Sequence, residues 1–315
     1  MNNFRKFEQA KEAVNQIIIG QPDVVDLLFT ALLAKGHVIL ESVPGSGKTK
    51  LAKTVVRVID GQFSRIQFTP DVLPSDVTGV RFFNPKTQEF ELLTGPVETN
   101  ILLADEINRA TPRTQASLLE VMEEQQTTID GTTVKIPSPF FVIATQNPIE
   151  SNQGTFPLPQ AQLDRFMMKI PMDYPTFEQE KEMLWKQRIG NPIDDITPIL
   201  STEIIASLQQ EIHQVVVSEV VMDYLLRLVS KTREHQGIEL GVSSRAALAL
   251  LRAGQARAFM DGYDFVRPQD IKSIAQYIFE HRIILTMDSS IRREVSEVTR
   301  EVIQSVEVPV EARVT

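Results

Sequence analysis

Hydrophobic and polar positions follow two different patterns along the chain, and the first pattern fills the amino-terminal half. Short apolar or β-branched runs are separated there by helical stretches such as KTKLAKTVVRVID and PRTQASLLEVMEEQQ. The runs are HVILE (37–41), FSRIQFT (63–69), NILLAD (100–105) and FFVIATQ (140–146). This alternation predicts a mostly parallel sheet covered by helices, an α/β fold. Sheets of this kind bind ligands beyond the carboxyl ends of their strands.

Two interruptions of the alternation predict β-hairpins. In the first, VRFF and EFELL flank NPKTQ. In the second, QTTI and TTVKI flank Asp130 and Gly131, a dipeptide that suits the positive φ angles of a tight turn. We therefore expect two hairpin inserts in the α/β domain.

The second pattern begins near Asp173 and is helical. Thr176 and Gln179 are spaced as a capping box that opens FEQEKEMLWKQR. Helical periodicity continues to the end of the chain, and no further core strand is evident. We place the boundary between Ile189 and Ile196, which gives an α/β domain over 1–190 and a smaller all-α domain over 191–315.

Composition restricts the class of protein. The 315 residues are 42% hydrophobic and 23% charged, as in ordinary globular proteins, and they include no cysteine. No run is long enough for a membrane span, and the amino-terminal stretch carries Glu8 and Glu12 instead of a signal-peptide apolar core. We therefore expect a cytoplasmic protein. A formal net charge of −9 argues against broad nucleic-acid binding, which requires a basic surface.

The stretch SVPGSGKT (42–49) directly follows the first strand and precedes a helix. Gly45 and Gly47 permit a close approach of the backbone to phosphate oxygens, Lys48 can reach the β- and γ-phosphates, and Thr49 offers a hydroxyl to Mg²⁺. The alternative is a glycine-rich turn with an exposed lysine. Because the stretch stands between a strand and a helix, as a phosphate-binding loop must, we favour phosphate binding.

Polar residues follow two other strands. Asp105 could hold a hydrated magnesium ion, and Glu106 could polarise a water molecule toward a γ-phosphate. Asn147 could hydrogen-bond the γ-phosphate or that water molecule. Taken alone, the acids would be a solvated strand end and the asparagine a turn residue. Their order after the phosphate loop favours the catalytic interpretation.

The segments IIIGQ (17–21), SVPGSGKT, LLADEINRA, ATQNP, LPQAQLDRF (158–166) and GVSSRAALALL (241–251) appear in an order that resembles an AAA+ ATPase of the MoxR family. The resemblance covers residues 10–300 and implies the P-loop NTPase fold, an αβα domain followed by a lid. The two hairpins resemble the insertions of the wider helix-2-insert clade. The family also implies ATP and ADP as ligands with Mg²⁺.

The resemblance assigns roles to the nucleotide site. Ile19 and Gly20 would line the adenine pocket, and Lys48 and Thr49 would be the Walker A pair. The predicted nucleotide-binding residues of the loop are Pro44, Gly45, Ser46, Gly47, Lys48, Thr49 and Lys50.

Walker B residues and the first sensor follow from the same resemblance. Asp105 and Glu106 would be the Walker B pair, with Thr49 and Asp105 at the metal, and Asn147 would be the first sensor.

Two arginines complete the implied site. Arg165 would be the arginine finger that reaches a neighbouring subunit, and Arg245 would be the second sensor on the lid. Arg109 resembles a family position near the subunit boundary. A finger supplied from another subunit implies a homo-oligomer, which we expect to be a hexameric ring.

Two departures from the family pattern concern backbone geometry. Ser42 stands where the loop pattern has its first glycine, and it is acceptable only with an ordinary φ angle. Ser244 stands where the family more often has proline before Arg245. Neither departure removes a charged group.

The resemblance also implies a chaperone-like protein that remodels a separate client bearing a von Willebrand factor A domain. Phe82, Phe83 and Phe90 of the first hairpin could contact that polypeptide, or could pack on their own domain. One alternative function is a nucleic-acid motor, against which the acidic charge argues. Another is a small-molecule kinase, which would need neither Arg165 nor a long helical lid.

Overall fold

A computed structural model describes residues 2–42, 45–147, 154–188, 190, 193 and 195–309. Two compact units are formed, and the chain passes between them more than once. The first comprises 1–28, 37–165 and 170–206, and the second 29–36, 166–169 and 207–315. The domain boundary at residue 190 stays a prediction.

The elements up to residue 201 are, in chain order, α1 (Asn2–Ile17), α2 (Pro22–Leu33), β1 (Val38–Ser42), α3 (Lys48–Arg57), β2 (Ile59–Asp60), β3 (Phe63–Gln67), α4 (Pro74–Thr78), β4 (Gly79–Asn84), β5 (Glu89–Thr94), β6 (Ile101–Asp105), α5 (Pro112–Glu124), β7 (Gln126–Ile129), β8 (Thr132–Lys135), β9 (Phe141–Gln146), α6 (Gln160–Leu163), β10 (Met168–Met172), α7 (Phe177–Gln187) and β11 (Leu200–Ser201). A short 3-10 helix, Ile107–Arg109, follows β6.

A five-stranded sheet in the order β10-β1-β9-β6-β3 forms the centre of the first unit. The ladders that join β1 to β9, β9 to β6 and β6 to β3 are parallel. The central strands are apolar along their whole length and buried, as expected for a parallel sheet with both faces covered. The predicted α/β fold is confirmed.

Edge strand β10 was not predicted from the sequence. Its segment MKIPM contains Lys169 and Pro171, which weaken the strand pattern. Proline lacks the N–H that a central strand would donate to a neighbour, and β10 lies at the edge of the sheet, where this loss is tolerated. The two-residue ladder between β2 and β11 was also not predicted.

Both predicted hairpins are present. β4 pairs antiparallel with β5, and β7 pairs antiparallel with β8. Asp130 and Gly131 have φ angles of 46° and 81° in the second turn, as the dipeptide predicts. The capping box is confirmed as well, because Gln179 N–H donates to Thr176 Oγ1 at 3.4 Å and Thr176 N–H donates to Gln179 Oε1 at 2.8 Å.

The second unit is mainly helical. Its elements, with one helix that begins in the first unit, are α8 (Thr202–Glu211), α9 (Glu219–Glu234), β12 (Ile238–Leu240), α10 (Ser244–Met260), α11 (Pro268–Phe279), β13 (Ile284–Leu285), α12 (Met287–Arg292) and α13 (Val295–Ser305). α10 and α11 pack together, and a Cβ at Gly254 of α10 would overlap the side chain of Ile271 on α11. A short antiparallel ladder of β12 and β13 adds to the predicted helices.

No helix among the described residues has both the length and the apolar character needed to cross a bilayer.

Candidate nucleotide site

The loop after β1 bends back through two glycines with left-handed backbone angles. Gly45 has a φ of 84°, and Gly47, which precedes α3, has a φ of 92°. No described atom lies within 4 Å of the position that a Cβ would take at either glycine. The loop therefore requires glycine for its backbone and leaves open space beside it, which is what a bound phosphate needs. Pro44 lies outside the described residues.

Lys48 is the first residue of α3, and its side chain lies across the ends of two strands. Its ammonium group donates to the carbonyl oxygen of Ser42 at 3.1 Å and to that of Gln146 at 3.4 Å. Ser42 is the last residue of β1, and its hydroxyl lies 2.6 Å from the hydroxyl of Ser46. A serine therefore fits the place of the first motif glycine, because the chain there is still an extended strand.

The Asp105 carboxylate is buried at the end of β6, with only 6% of the residue exposed. Its Oδ1 accepts a hydrogen bond from the Thr145 hydroxyl at 2.6 Å. Its Oδ2 lies 2.7 Å from an Arg65 guanidinium nitrogen and 3.5 Å from the Thr49 hydroxyl. The structure thus brings the two predicted metal residues, Thr49 and Asp105, together.

Glu106 is held from several sides. Its φ and ψ angles of 56° and 48° are left-handed, and its N–H donates to the Thr145 hydroxyl at 2.8 Å. Its Oε2 accepts from the Gln67 side-chain amide at 3.0 Å and lies 3.1 Å from Arg109 Nε. Thr145 therefore joins both predicted acids, and Gln67 and Arg109 fix the direction of the Glu106 carboxylate.

Asn147 follows β9 directly and is buried, with 3% of the residue exposed. The residue before it, Gln146, supplies a carbonyl oxygen to Lys48. Asn147 therefore lies at the same edge of the sheet as the phosphate loop, as expected from its place after a central strand.

The predicted adenine-pocket residues lie between α1 and α2. Gly20 has a φ of 80°, and a Cβ there would overlap the side-chain amide of Gln179 on α7. Ile19 is partly exposed beside it. Lys50, on the first turn of α3, has a lowered pKa because of burial and, secondly, because of the positive charge of Lys186 on α7. Gln179 of α7 therefore lies directly beside the predicted adenine-pocket residue Gly20.

The two predicted arginines are placed differently. Arg165 follows α6, and its guanidinium lies 3.0 Å from Glu123 Oε2 on α5. Arg245 belongs to the second unit, where it is an exposed residue in the first turn of α10. The Ser243 side chain caps that helix by accepting from Ala246 N–H at 3.2 Å. Ser244 takes the first helical position, where proline is favoured but serine is tolerated.

Sequence reasoning missed three side chains of this site: Arg65, Gln67 and Thr145. All three lie near the carboxyl ends of sheet strands, where ligands bind in open α/β sheets. The polar residues at the ends of FSRIQ and FVIATQ were the available signal. Their partners depend on strand register, which no local pattern provides.

The aromatic residues of the first hairpin are exposed. Phe82 is 40%, Phe83 50% and Phe90 67% exposed. Phe83 and Phe90 are direct cross-strand partners, and their rings meet edge to face with centroids 5.4 Å apart. Phe82 points to the opposite face, because successive strand residues alternate between faces.

Comparison with known proteins relates this chain to an ATPase family. Residues 37–168 match the model for the ATPase family associated with various cellular activities (AAA), and residues 230–306 match the model for the AAA lid domain. YeaC of Bacillus subtilis is 46% identical over 96% of this chain and 95% of its own. The chaperone MoxR1 of Mycobacterium tuberculosis is 42% identical over 96% of this chain and 82% of its own.

A more distant relative and a solved structure are also similar along nearly the whole chain. Protein MoxR of Methylorubrum extorquens is 28% identical over 94% of this chain and 93% of its own. A crystal structure from Cytophaga hutchinsonii, of a protein assigned as an ATPase, matches with a TM-score of 0.90 and 37% identity. That match covers 98% of this chain and 96% of the other.

Proposed function

The chain belongs to the MoxR family of AAA+ ATPases, and from this premise we propose that it binds and hydrolyses ATP in order to remodel a partner protein. Hydrolysis takes place at the carboxyl ends of β1, β6 and β9. Subunits assemble into a ring, which we propose to be hexameric, and the client is a separate chain.

One observation carries the hydrolytic part of the proposal. Lys48, Asp105 and Glu106 are held by hydrogen bonds at neighbouring strand ends beside an open glycine loop. The loop can admit a phosphate, and the Thr49 hydroxyl and the Asp105 carboxylate are the hard oxygen ligands that suit Mg²⁺. When bound, the magnesium ion would neutralise charge on the β- and γ-phosphates.

Each side chain of the site has a distinct task. Lys48 rests on two neutral carbonyl oxygens, and exchanging them for anionic phosphate oxygens strengthens its hydrogen bonds. Glu106 accepts a hydrogen bond from the attacking water at its carboxylate, and Gln67 and Arg109 keep that carboxylate in one orientation. Asn147 offers a buried amide to the γ-phosphate or to the water.

Arginines supply the remaining positive charge. We assign Arg165 as the finger that reaches the γ-phosphate of an adjoining subunit, and Arg245 as the second sensor of the lid. A guanidinium at the γ-phosphate stabilises charge that spreads over the phosphate oxygens in the transition state. Because Arg165 acts between subunits, hydrolysis depends on assembly.

The remodelling part of the proposal relies on the relatives and on the first hairpin. One relative is named a chaperone, and the exposed rings of Phe82, Phe83 and Phe90 offer apolar contacts to a polypeptide. The client we propose bears a von Willebrand factor A domain.

The decisive variant is Glu106→Gln, which keeps the shape of the side chain but cannot take up a proton. Hydrolysis with Mg²⁺ should fall by about 100-fold or more, whereas the affinity for ATP should stay within about threefold. Glu124→Gln, an exposed acid at the end of α5, is the matched control and should hydrolyse ATP as the wild type does. Failure of the wild type to bind any adenine nucleotide would contradict the proposal, as would full activity of Glu106→Gln.

The same variant identifies the client. Slow hydrolysis holds the ATP-bound ring on its partner, so affinity capture with Glu106→Gln, ATP and Mg²⁺ should recover a protein with a von Willebrand factor A domain. Stimulation of hydrolysis by DNA that falls steeply with salt would instead indicate a nucleic-acid motor. Transfer of phosphate to a metabolite would indicate a kinase.

A further inference from the structure

Arg65 makes a contact with the buried Asp105 that no motif predicts. Parallel pairing of β3 with β6 places Gln67 opposite Asp105 and Arg65 opposite Leu103. Arg65 is therefore a diagonal neighbour of the acid on the same sheet face. One of its guanidinium nitrogens lies 2.7 Å from Asp105 Oδ2 and 2.7 Å from Gln67 Oε1.

The two oxygens of Asp105 have different surroundings. Oδ1 accepts the Thr145 hydroxyl, which also anchors the backbone of Glu106. Oδ2 faces the Thr49 hydroxyl and the Arg65 guanidinium. Positive charge from the protein thus occupies the oxygen that, with Thr49, forms the donor set suited to a divalent cation.

A buried carboxylate requires a positive partner, because removal from water strongly disfavours an isolated charge. Arg65 provides that partner in this structure. Its own side chain is 40% exposed, so the guanidinium can move into water at little cost. Water can hydrate the partly exposed guanidinium as it leaves Asp105, which makes this contact easy to displace once another cation is bound.

We propose that Arg65 is a placeholder for the divalent cation: it neutralises Asp105 in the nucleotide-free protein and must leave Oδ2 when magnesium and nucleotide bind. The inference rests on the proposed ATPase function. It makes Arg65 a positioning residue whose contact with Asp105 competes with the metal and sets how much magnesium the site needs.

The test is a magnesium titration of binding, monitored with a fluorescent ATP analogue at fixed concentration. In Arg65→Gln the competing charge is gone, so the magnesium concentration at half-saturation should fall about fivefold relative to the wild type. Arg81→Gln is the matched control, because Arg81 is an exposed residue of the first hairpin. Its substitution changes the net charge by the same amount as Arg65→Gln does. The control should titrate as the wild type does.

A second readout does not involve nucleotide. In EDTA, the thermal midpoint of Arg65→Gln should fall by about 2–4 °C, because Asp105 loses its counterion, and that of Arg81→Gln should not change. Should Arg65→Gln fail to fold, Arg65→Lys keeps the charge but lacks the planar guanidinium, one nitrogen of which contacts both Asp105 and Gln67. The magnesium concentration at half-saturation of Arg65→Lys should lie between the wild-type value and a value fivefold lower.

An unchanged or increased magnesium requirement in Arg65→Gln, with nucleotide binding intact in the wild type, would overturn the placeholder role and leave the ATPase proposal standing. Absence of nucleotide binding in the wild type would overturn both. The two failures are therefore distinguishable.

Discussion

The strand ends and the first hairpin belong to the same unit but have opposite surfaces. At the strand ends the functional groups are polar, buried or half-buried, and hydrogen-bonded, as with Asp105 between Thr145 and Arg65. On the β4–β5 hairpin the prominent groups are aromatic and exposed on both faces of a two-stranded ribbon. The polar groups at the strand ends form hydrogen bonds within the protein, whereas the aromatic groups of the hairpin leave much of their apolar surface exposed to water.

This difference separates two tasks. A network with its hydrogen bonds already made is preorganised, so little rearrangement is required when charge develops in a transition state. These rings keep 40–67% of their surface in contact with water, so they contribute less to folding than fully buried aromatic residues do. The hairpin aromatics thus offer apolar surface to a partner, and we expect that their substitution leaves the chemistry at the strand ends intact.

The largest effect should come from Arg165, which tests whether the strand ends are complete within one subunit. Arg165→Ala should lower the rate of hydrolysis by about 10³-fold and leave ATP affinity nearly unchanged, because the finger stabilises charge that develops only in the transition state. Steady-state hydrolysis and nucleotide titration measure the two quantities. Arg113→Ala, an exposed arginine of α5, is the control and should have normal activity.

Mixing of two inactive variants tests whether Arg165 acts in its own subunit or in a neighbouring one. Arg165→Ala subunits retain Glu106, and Glu106→Gln subunits retain Arg165, so a mixed ring contains interfaces with both groups. Hydrolysis should reappear on mixing the two inactive variants. A mixture that stays inactive although it assembles would mean that Arg165 acts within its own subunit, where it forms an ion pair with Glu123.

A smaller effect is expected at the hairpin. Phe82→Ala with Phe83→Ala removes one ring from each face and should reduce client remodelling by at least about tenfold, because apolar anchors dominate binding energy at interfaces. Basal hydrolysis and the thermal midpoint should stay near the wild-type values, since both rings are at least 40% exposed. Remodelling assays, hydrolysis assays and thermal unfolding make the distinction.

The second hairpin provides the matched control. Thr128 and Thr133 form an exposed cross-strand pair with hydroxyl oxygens 3.4 Å apart. Thr128→Ala with Thr133→Ala changes a ribbon of the same architecture without removing an aromatic ring, and remodelling should persist. Loss of folding in the phenylalanine variant, or equal loss of remodelling in both variants, would contradict a specific role for the aromatics.

Local signals predicted much of the fold and the outline of the site. Apolar runs predicted the central strands, and SVPGSGKT predicted a loop between a strand and a helix, in which Gly45 and Gly47 adopt left-handed backbone angles. Asp130 and Gly131 fixed a hairpin turn, and Thr176 and Gln179 fixed a helix start. Each of these features depends on residues close together in sequence, where propensity and spacing are informative.

Features set by distant partners were not predicted. Arg65 and Gln67 reach Asp105 and Glu106 only because β3 lies beside β6 in a particular register. Edge strand β10 depends on pairing with the sheet, because Lys169 and Pro171 interrupt the apolar pattern of its sequence. Register and edge pairing arise from the packing of the whole unit, so no short segment encodes them.

The smallest effect on activity is expected at the amino ends of the same strands, where a substitution changes stability and not chemistry. His37 precedes β1; Val142 N–H donates to its Nδ1 at 3.0 Å, so the proton lies on Nε2, 3.4 Å from the Met122 carbonyl oxygen. Burial lowers the pKa of His37 from 6.5 to about 4, against a smaller opposing effect of that carbonyl. The unfolded chain therefore binds a proton between pH 6.5 and 4 that the folded chain excludes.

Acidification through this window should thus destabilise the protein, by at most about 3 kcal/mol, and below about pH 4 the contribution should level off. In His37→Gln an uncharged amide can bond the same two partners, so denaturant unfolding at several pH values should show a shallower loss between pH 6.5 and 4. The buried His281 of the second unit is common to both proteins and cancels in the comparison. Parallel pH profiles for the two proteins would mean that His37 is accessible to protons in the folded state, and the amino ends of the strands would then be less tightly packed than the carboxyl ends.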